Sequence, residues 1–355
     1  MAKARIFDLP ETKGAFQLKG IVTGTEKDNF FKEKQTRTNK DMRTVNFGLT
    51  YDDKQTLYIN LQGIEQEKVY FSKKAEKKGE KSDTVPVPWE ERFSYNREGY
   101  RLIGKSLGVK KKVDKDGKTV NDKKTLTDFD ACREINENLK DGASVFARGN
   151  LEYSSYKDDK GNKRISTKLV PGQISLCSDV NFDDDKYEKQ NDFNQVIIFM
   201  GIDKEKDDDG KETGRFIVVA KIITYSTIED VEFIITDSKL AQMFRKNLKA
   251  YYAIKVNGHM VSSTQTETVK DDDVWGEEDD MEKALSPSKR EFIITGAKGT
   301  TIDKELYSQE KIEEALLKIA KANKADDDFG GDTPSGEWGN ASDLDSADED
   351  GDEPW

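Results

Sequence analysis

Two adjacent phenylalanines, Phe30 and Phe31, sit in an otherwise polar stretch from Thr25 to Met42. Lys32, Lys34, Arg37 and Lys40 follow them there, and Arg43 comes immediately after. Rings without an obvious core to enter, set among cations, suit a ligand that offers flat bases and phosphates together. A single nucleic-acid strand is such a ligand: rings stack on its bases at roughly 1–3 kcal/mol each, and cations track its backbone. Phe30 and Phe31 are therefore stacking candidates, and the five cations are phosphate candidates. Local packing of the two rings is the competing reading.

Other chemistry finds little support in the residues. One histidine, His259, and two distant cysteines, Cys132 and Cys177, cannot build a Cys/His zinc site, a disulfide scaffold or a Cys–His dyad. No Gly-x4-Gly-Lys-Ser/Thr loop is present to cradle phosphates. Asp207–Asp209 and Asp271–Asp273 read as solvated turns rather than metal ligands. No catalytic residue, metal or cofactor is expected. No apolar run approaches a membrane span, so a soluble, cytosolic protein is expected.

The net charge of −12 changes sign along the chain. Residues 1–180 hold 36 Lys+Arg against 28 Asp+Glu, a net of +8. Residues 181–324 hold 22 against 30, and residues 325–355 hold none against 12. A phosphate-binding surface is expected in the first part only.

Alternating apolar residues predict strands in that part, as in Arg43–Tyr51 and Leu57–Leu61. A helix is expected from Asp128, its candidate cap, to Leu139; strands follow at Val145–Leu151 and Arg164–Cys177. Three strands, a helix and two strands is the order of an oligonucleotide-binding (OB) barrel. Residues 139–151 align without a gap onto 248–260 at an offset of 109, matching Gly149 to Gly258. The second copy has strands at Val196–Met200, Arg215–Ile223, Val231–Ile235 and Glu291–Ala297, with a helix over Asp237–Leu248. The fold expected is mainly β: two five-stranded OB barrels, a helix over 308–322 with Ser308 as cap, and a disordered acidic tail. Residues 1–180 form the first domain, with an insertion at about 64–127. Residues 181–324 form the second, and 325–355 the tail. The insertion's lysines and aromatics read equally as a satellite core or as further nucleic-acid contacts.

In the first barrel, strand parity turns Tyr58 outward as a base platform. Arg148 also points out, and Tyr153, Tyr156 and Lys163 lie around the loop between strands 4 and 5. The second barrel's loops are acidic and would repel phosphate. That copy reads as a structural, dimerising or protein-binding module, which leaves a homo-oligomer open.

The chain ends Asp350-Gly351-Asp352-Glu353-Pro354-Trp355. An aromatic residue with a free carboxylate, behind acidic residues, suits a small apolar pocket rimmed with Lys or Arg. It also suits a dock on the cationic domain, in competition with DNA. In this ending and in its barrel order the chain resembles bacterial and bacteriophage single-stranded DNA-binding proteins. The duplicated barrel with a large insertion looks more like a phage-encoded member. The resemblance implies sequence-independent binding of single-stranded DNA in replication, recombination and repair. It also implies that Asp350, Asp352, Glu353, Pro354 and Trp355 recruit partner proteins, and that the protein works in the bacterial host cytoplasm. Two rival readings are an interaction adaptor whose acidic segments mimic DNA, and a metal-dependent nuclease.

Overall fold

The computed structural model describes residues 5–53, 55–75, 77, 82–158, 161–207, 209–263 and 289–328. The chain is mainly β and divides into two compact units. One comprises Ala15–Leu151 with Lys168–Asn191, and the other Met1–Gly14, Glu152–Thr167 and Asp192–Trp355. The division is not linear along the chain. The N-terminal segment and the segment 152–167 are grouped with the later residues, whereas the sequence reading placed them in the first domain. The acidic tip Asp350–Trp355 and the acidic connection 264–288 lie outside the described residues.

The first unit begins with β1 (Gly14–Thr23), β2 (Phe31–Gln35), β3 (Asp41–Asp52) and β4 (Gln55–Ile64). Inward residues alternate along them: Phe16 and Leu18, then Val45, Phe47 and Leu49, then Leu57, Ile59 and Leu61, all buried. Within the insertion come β5 (Lys68–Lys73), β6 (Asp83–Pro88), β7 (Tyr100–Leu102), β8 (Lys105–Gly108), β9 (Lys111–Val113), β10 (Thr119–Asn121) and β11 (Lys124–Leu126). Helix α1 (Asp128–Asn138) and strands β12 (Ser144–Lys157) and β13 (Lys163–Leu176) complete it. Strand β1 pairs antiparallel with β12 and β3, and β3 with β4. Strand β13 runs parallel to β4, with Leu169 opposite Ile59, and pairs with β12. The circuit β12–β1–β3–β4–β13–β12 forms a five-stranded barrel in OB order.

Helix α1 begins one residue away from the expected cap. Thr127, not Asp128, is the N-cap, and its hydroxyl accepts from the Asp130 N–H at 3.1 Å. The helix turns Ala131, Cys132 and Ile135 inward. The Cys132 Sγ lies 3.6 Å from the carbonyls of Arg43 and Leu61, and burial pushes its thiol up to about 12. A thiol so placed is a small core residue and not a nucleophile.

The insertion has a core of its own. Strands β6, β5 and β7 form a three-stranded sheet. Val69, Phe71, Val87, Trp89 and Phe129 cluster beneath it, with Tyr95, Tyr100 and Leu102 packed alongside. Of the two readings of these aromatics, satellite packing accounts for most of them. Tyr70 and Phe93 remain exposed.

The second unit repeats the circuit with β14 (Asn191–Lys206), β15 (Glu212–Ile223), β16 (Ile228–Ile235), α2 (Ser238–Asn247), β17 (Tyr252–Ser263) and β18 (Lys289–Asp303). Strand β14 pairs with β15 and β17, β15 with β16, and β17 with β18. Strand β18 runs parallel to β16, with Ile293 opposite Ile234. These strands extend well past the expected segments because their ends are polar ladder positions with no apolar signature. Helix α3 (Gln309–Asp328) follows and continues past residue 324, where the sequence reading began the tail. Ile312 and Ala315 of α3 are buried with Phe7, Leu9 and Tyr307 against Ile198, Ile223, Ile228 and Ala253.

The 109-residue offset is visible bond by bond. Leu139 N donates to Ile135 O at 2.8 Å, and Leu248 N to Phe244 O at 3.0 Å. The amides of Asn138 and Asn247 each donate to the carbonyl four residues back, at 3.0 and 2.9 Å. Ala143 N reaches Lys140 O at 3.2 Å, and Tyr252 N reaches Lys249 O at 3.1 Å. Both turns need a left-handed residue, supplied by Gly142 (φ 83°) in one copy and Tyr251 (φ 71°) in the other. A Cβ on Gly149 would stand 2.0 Å from Val170 O, and one on Gly258 1.8 Å from Ile293 O. Both glycines mark the place where the fourth barrel strand presses against the fifth.

Candidate nucleic-acid interface

The outward face of β3 and β4 is built by register. Lys32, Thr44 and Gln62 form one row across β2, β3 and β4. Asn46 and Asn60 form the next, joined by an amide hydrogen bond of 2.6 Å. Thr23, Gly48 and Tyr58 form a third across β1, β3 and β4, and Thr50 and Thr56 a fourth, with their hydroxyls 2.9 Å apart. The face is polar, and one ring rises from it. Tyr58 is 45% exposed, opposite a glycine that has no side chain to cover it. A tyrosine in that setting presents an apolar face to solvent, which an ordinary half-buried strand residue does not.

The expected loop of residues 25–42 is largely a hairpin. Strand β2 pairs with the first half of β3, and Thr36–Lys40 makes the turn, closed by Thr36 N to Lys40 O at 2.8 Å with Asn39 left-handed. Lys32, Lys34 and Arg37 are exposed on it, and Lys40 is half-buried, 3.9 Å from Glu67. Arg148 is exposed on β12 opposite Gln17. Segment 182–191 lies along β1: Lys19 N donates to Gln190 O at 2.9 Å, the Gln190 amide donates to Gln17 at 3.1 Å, and Lys189 pairs with Asp52. That cover narrows the open part of the face to β2, β3 and β4.

Three expected contacts need correction. Phe30 is only 4% exposed, because the hairpin folds back and the Asn46 N–H holds the Phe30 carbonyl at 2.9 Å. The neighbouring Phe31 is half-buried opposite Val45. Arg43 is buried: its guanidinium lies 3.7 Å from the Phe129 ring centroid and 2.5 Å from Glu33. It ties the hairpin to α1 and offers nothing to a phosphate. Tyr153 is buried in the second unit, its hydroxyl 3.4 Å from Gln195 and its ring 6.4 Å from that of Phe292. Burial raises its hydroxyl well above the usual phenol range.

Tyr156 and Lys163 also belong to the second unit. Tyr156 is exposed. The Lys163 ammonium pairs at 2.7 Å with Glu229, a carboxylate with almost no exposure that also accepts from Ser155 at 2.9 Å. One unit therefore holds Phe31, Lys32, Lys34, Arg37, Lys40, Tyr58 and Arg148; Lys32, Lys34, Arg37, Lys40 and Tyr58 belong to the open β2–β4 part, whereas Phe31 stands opposite inward Val45 and Arg148 lies on β12 beyond the covered β1. Sequence reasoning passed over Gln62 and Lys32's place in its row. Strand pairing was the missing signal.

The second barrel's hairpin acids are satisfied locally. Glu212 pairs with Lys204 at 2.7 Å, Glu205 with Arg215 at 3.2 Å, and Asp209 with Lys211 at 3.5 Å. Among the described residues no group of three or more His, Cys, Asp or Glu could hold a metal ion. No helix among them is long and apolar enough to cross a membrane.

On a face that takes a single strand, a salt titration against single-stranded DNA separates the expected roles of Lys32 and Arg43. Lys32→Gln should make the slope of log K against log salt shallower by about 0.7, the value for one phosphate of a single strand. Arg43→Ala should leave that slope unchanged and instead cost about 1–3 kcal/mol of stability in urea.

Among solved structures the chain is similar to the single-stranded DNA-binding protein of Thermus aquaticus. The wild type and a deletion mutant each match at 10% identity with a TM-score of 0.37. The match covers 81% of this chain and 93% or 94% of the other. At that level of likeness the barrel assignment rests on strand pairing alone. No curated protein matches the chain. The model of the YorF family matches residues 74–331, most of both units, and the chain belongs to the YorF family.

Proposed function

We propose that the protein binds single-stranded DNA without sequence preference, on the outward face of its first barrel. The observation that carries this reading is the exposed Tyr58 ring on an amide- and hydroxyl-lined face, beside the cationic β2–β3 hairpin. Bases stack on the ring, the amides of Asn46, Asn60 and Gln62 meet base edges or sugars, and Lys32, Lys34, Arg37 and Lys40 follow the phosphates. Stacking is indifferent to base identity, so the strand is held regardless of sequence. The protein is a binding module rather than an enzyme. In this reading it coats single strands exposed in replication, recombination and repair, in the cytoplasm of a bacterial cell and in the service of a phage. The acidic tip Asp350–Trp355 recruits partner proteins. The second barrel takes no strand and serves as a structural, dimerising or protein-binding module.

Tryptophan-fluorescence titration of the full chain with oligo-dT and with a duplex, at several salt concentrations, tests the reading. Single strands should bind at least about tenfold more tightly than blunt duplex, with affinity falling steeply as salt rises. Equal weak binding of both at low salt would instead favour an adaptor that binds proteins.

A further inference from the structure

Strands β9 and β10 form a two-stranded ribbon that the face described above does not use. Lys111 stands opposite Asn121, Lys112 opposite Val120 and Val113 opposite Thr119. Asp122 N to Lys110 O (2.7 Å) and Asp114 N to Lys118 O (2.9 Å) extend the ladder at each end. From residue 110 to 124 the sequence holds seven lysines against three aspartates. Lys112 is engaged by Asp122 at 2.7 Å, and Lys124 by Glu134 at 2.9 Å. Lys111, Lys115, Lys118 and Lys123 are exposed and make no ion pair among the described residues. Both faces of the ribbon are open, since Val113 is 68% exposed and Lys112 and Val120 on the opposite face are exposed too.

The base of the ribbon is fixed while its tip stands free. The Asn121 amide donates to Leu176 O at 2.7 Å, and the chain runs on either side into β8 and β11, which pair with each other. Strand β8 is seated beside barrel strand β13, with Leu107 opposite Ile174. A free two-stranded ribbon is marginal in water. Solubility alone would not ask for two open valines on an anchored arm. The ribbon carries no aromatic residue and cannot stack on bases, and its ammonium groups are point charges that read phosphates only. Duplex DNA presents one phosphate per about 1.7 Å of axis, and its major groove, about 12 Å wide, admits a two-stranded ribbon.

We propose that the Lys110–Lys123 ribbon grips the phosphates of duplex DNA adjoining the single strand held on the first barrel, so that the protein favours junctions between the two. This rests on the single-strand reading above. The test compares the full chain with a Lys111→Gln, Lys115→Gln, Lys118→Gln, Lys123→Gln variant. Three probes are used: a single strand, a duplex with a single-stranded tail, and a longer single strand with as many phosphates as the tailed duplex. The unaltered protein should bind the tailed duplex about tenfold more tightly than either single strand at low salt. The variant should lose that preference, with a salt slope on the tailed duplex shallower by about two to four, and keep its affinity for the short single strand. Equal affinity for the tailed duplex and the longer strand in the unaltered protein would overturn the proposal, as would a preference that survives in the variant. Ribbon-dependent binding of the duplex part, with no affinity for single strands, would overturn the junction preference and the single-strand reading together, while a preference lost in the variant with single-strand affinity intact supports both.

Discussion

Replacing Gly258 with alanine should cost the second unit about 3–5 kcal/mol, a large part of the roughly 5–15 kcal/mol that holds a domain together. The new Cβ would sit 1.8 Å from Ile293 O and 3.0 Å from the Ile294 Cα, both backbone. No rotamer change relieves such a contact. Strands β17 and β18 must part locally, and ladder hydrogen bonds go with them. Gly149→Ala should do the same to the first unit, where the Cβ would meet Val170 O at 2.0 Å and the Pro171 Cα at 2.7 Å. Gly299→Ala is the control: nothing lies within 4 Å of its added Cβ, and the change should stay within about 0.5 kcal/mol. Urea denaturation of the three variants reads the difference. A Gly258→Ala protein as stable as the parent would mean that the two strands do not approach as described.

Removing the Tyr58 ring should weaken single-strand binding by about 1–3 kcal/mol, roughly five- to 150-fold. Tyr58→Ala is also expected to cost at most about 1 kcal/mol of stability, because the ring faces solvent and Gly48 rather than the core. Tyr58→Phe keeps the stacking face and should stay within a few-fold of the parent. Phe30→Ala should behave in the opposite way, with a large loss of stability of about 3–5 kcal/mol, since it empties a buried ring site. Fluorescence titration and urea denaturation on the same samples separate the two roles. The contrast matters because both were expected as rings offered to bases, Phe30 from a polar loop and Tyr58 from the outward parity of its strand.

That likeness shows where sequence reasoning ended. Period-two alternation identified the barrel strands because core residues on one face of a pleated strand must recur every second position. The Gly149–Gly258 match was legible for a related reason, as a close backbone approach tolerates only one residue type. Tyr58 followed from parity. Phe30 and Arg43 were misjudged because their burial depends on partners far along the chain. The Asn46 N–H holds the Phe30 backbone and the Phe129 ring covers Arg43, and no local pattern announces a hairpin folding back or a helix arriving after an insertion of about 64 residues. Tyr153 was misplaced because the outer half of its hairpin belongs with the second barrel, where Phe292 and Gln195 receive it. Tertiary partners, rather than propensity, decided each of these positions.

The insertion teaches a similar lesson about charge and aromatic content. Arg92 lies between the rings of Trp89 (4.1 Å) and Phe93 (4.4 Å) and pairs with Asp130 at 2.8 Å. Lysines and aromatics mixed in sequence are thus partly sorted in space: Phe71, Trp89, Tyr95 and Tyr100 pack into a small core, Tyr70 and Phe93 stay exposed, and several lysines stand on the ribbon.

The most direct measurement is photochemical cross-linking of the full chain to an oligo-dT carrying 5-iodouracil, with the modified peptides located by mass spectrometry. Covalent attachment at Tyr58 on β4, with further sites along the β2–β3 hairpin, is the predicted outcome. Attachment confined to residues 192–328, with β4 unmodified, would contradict the account.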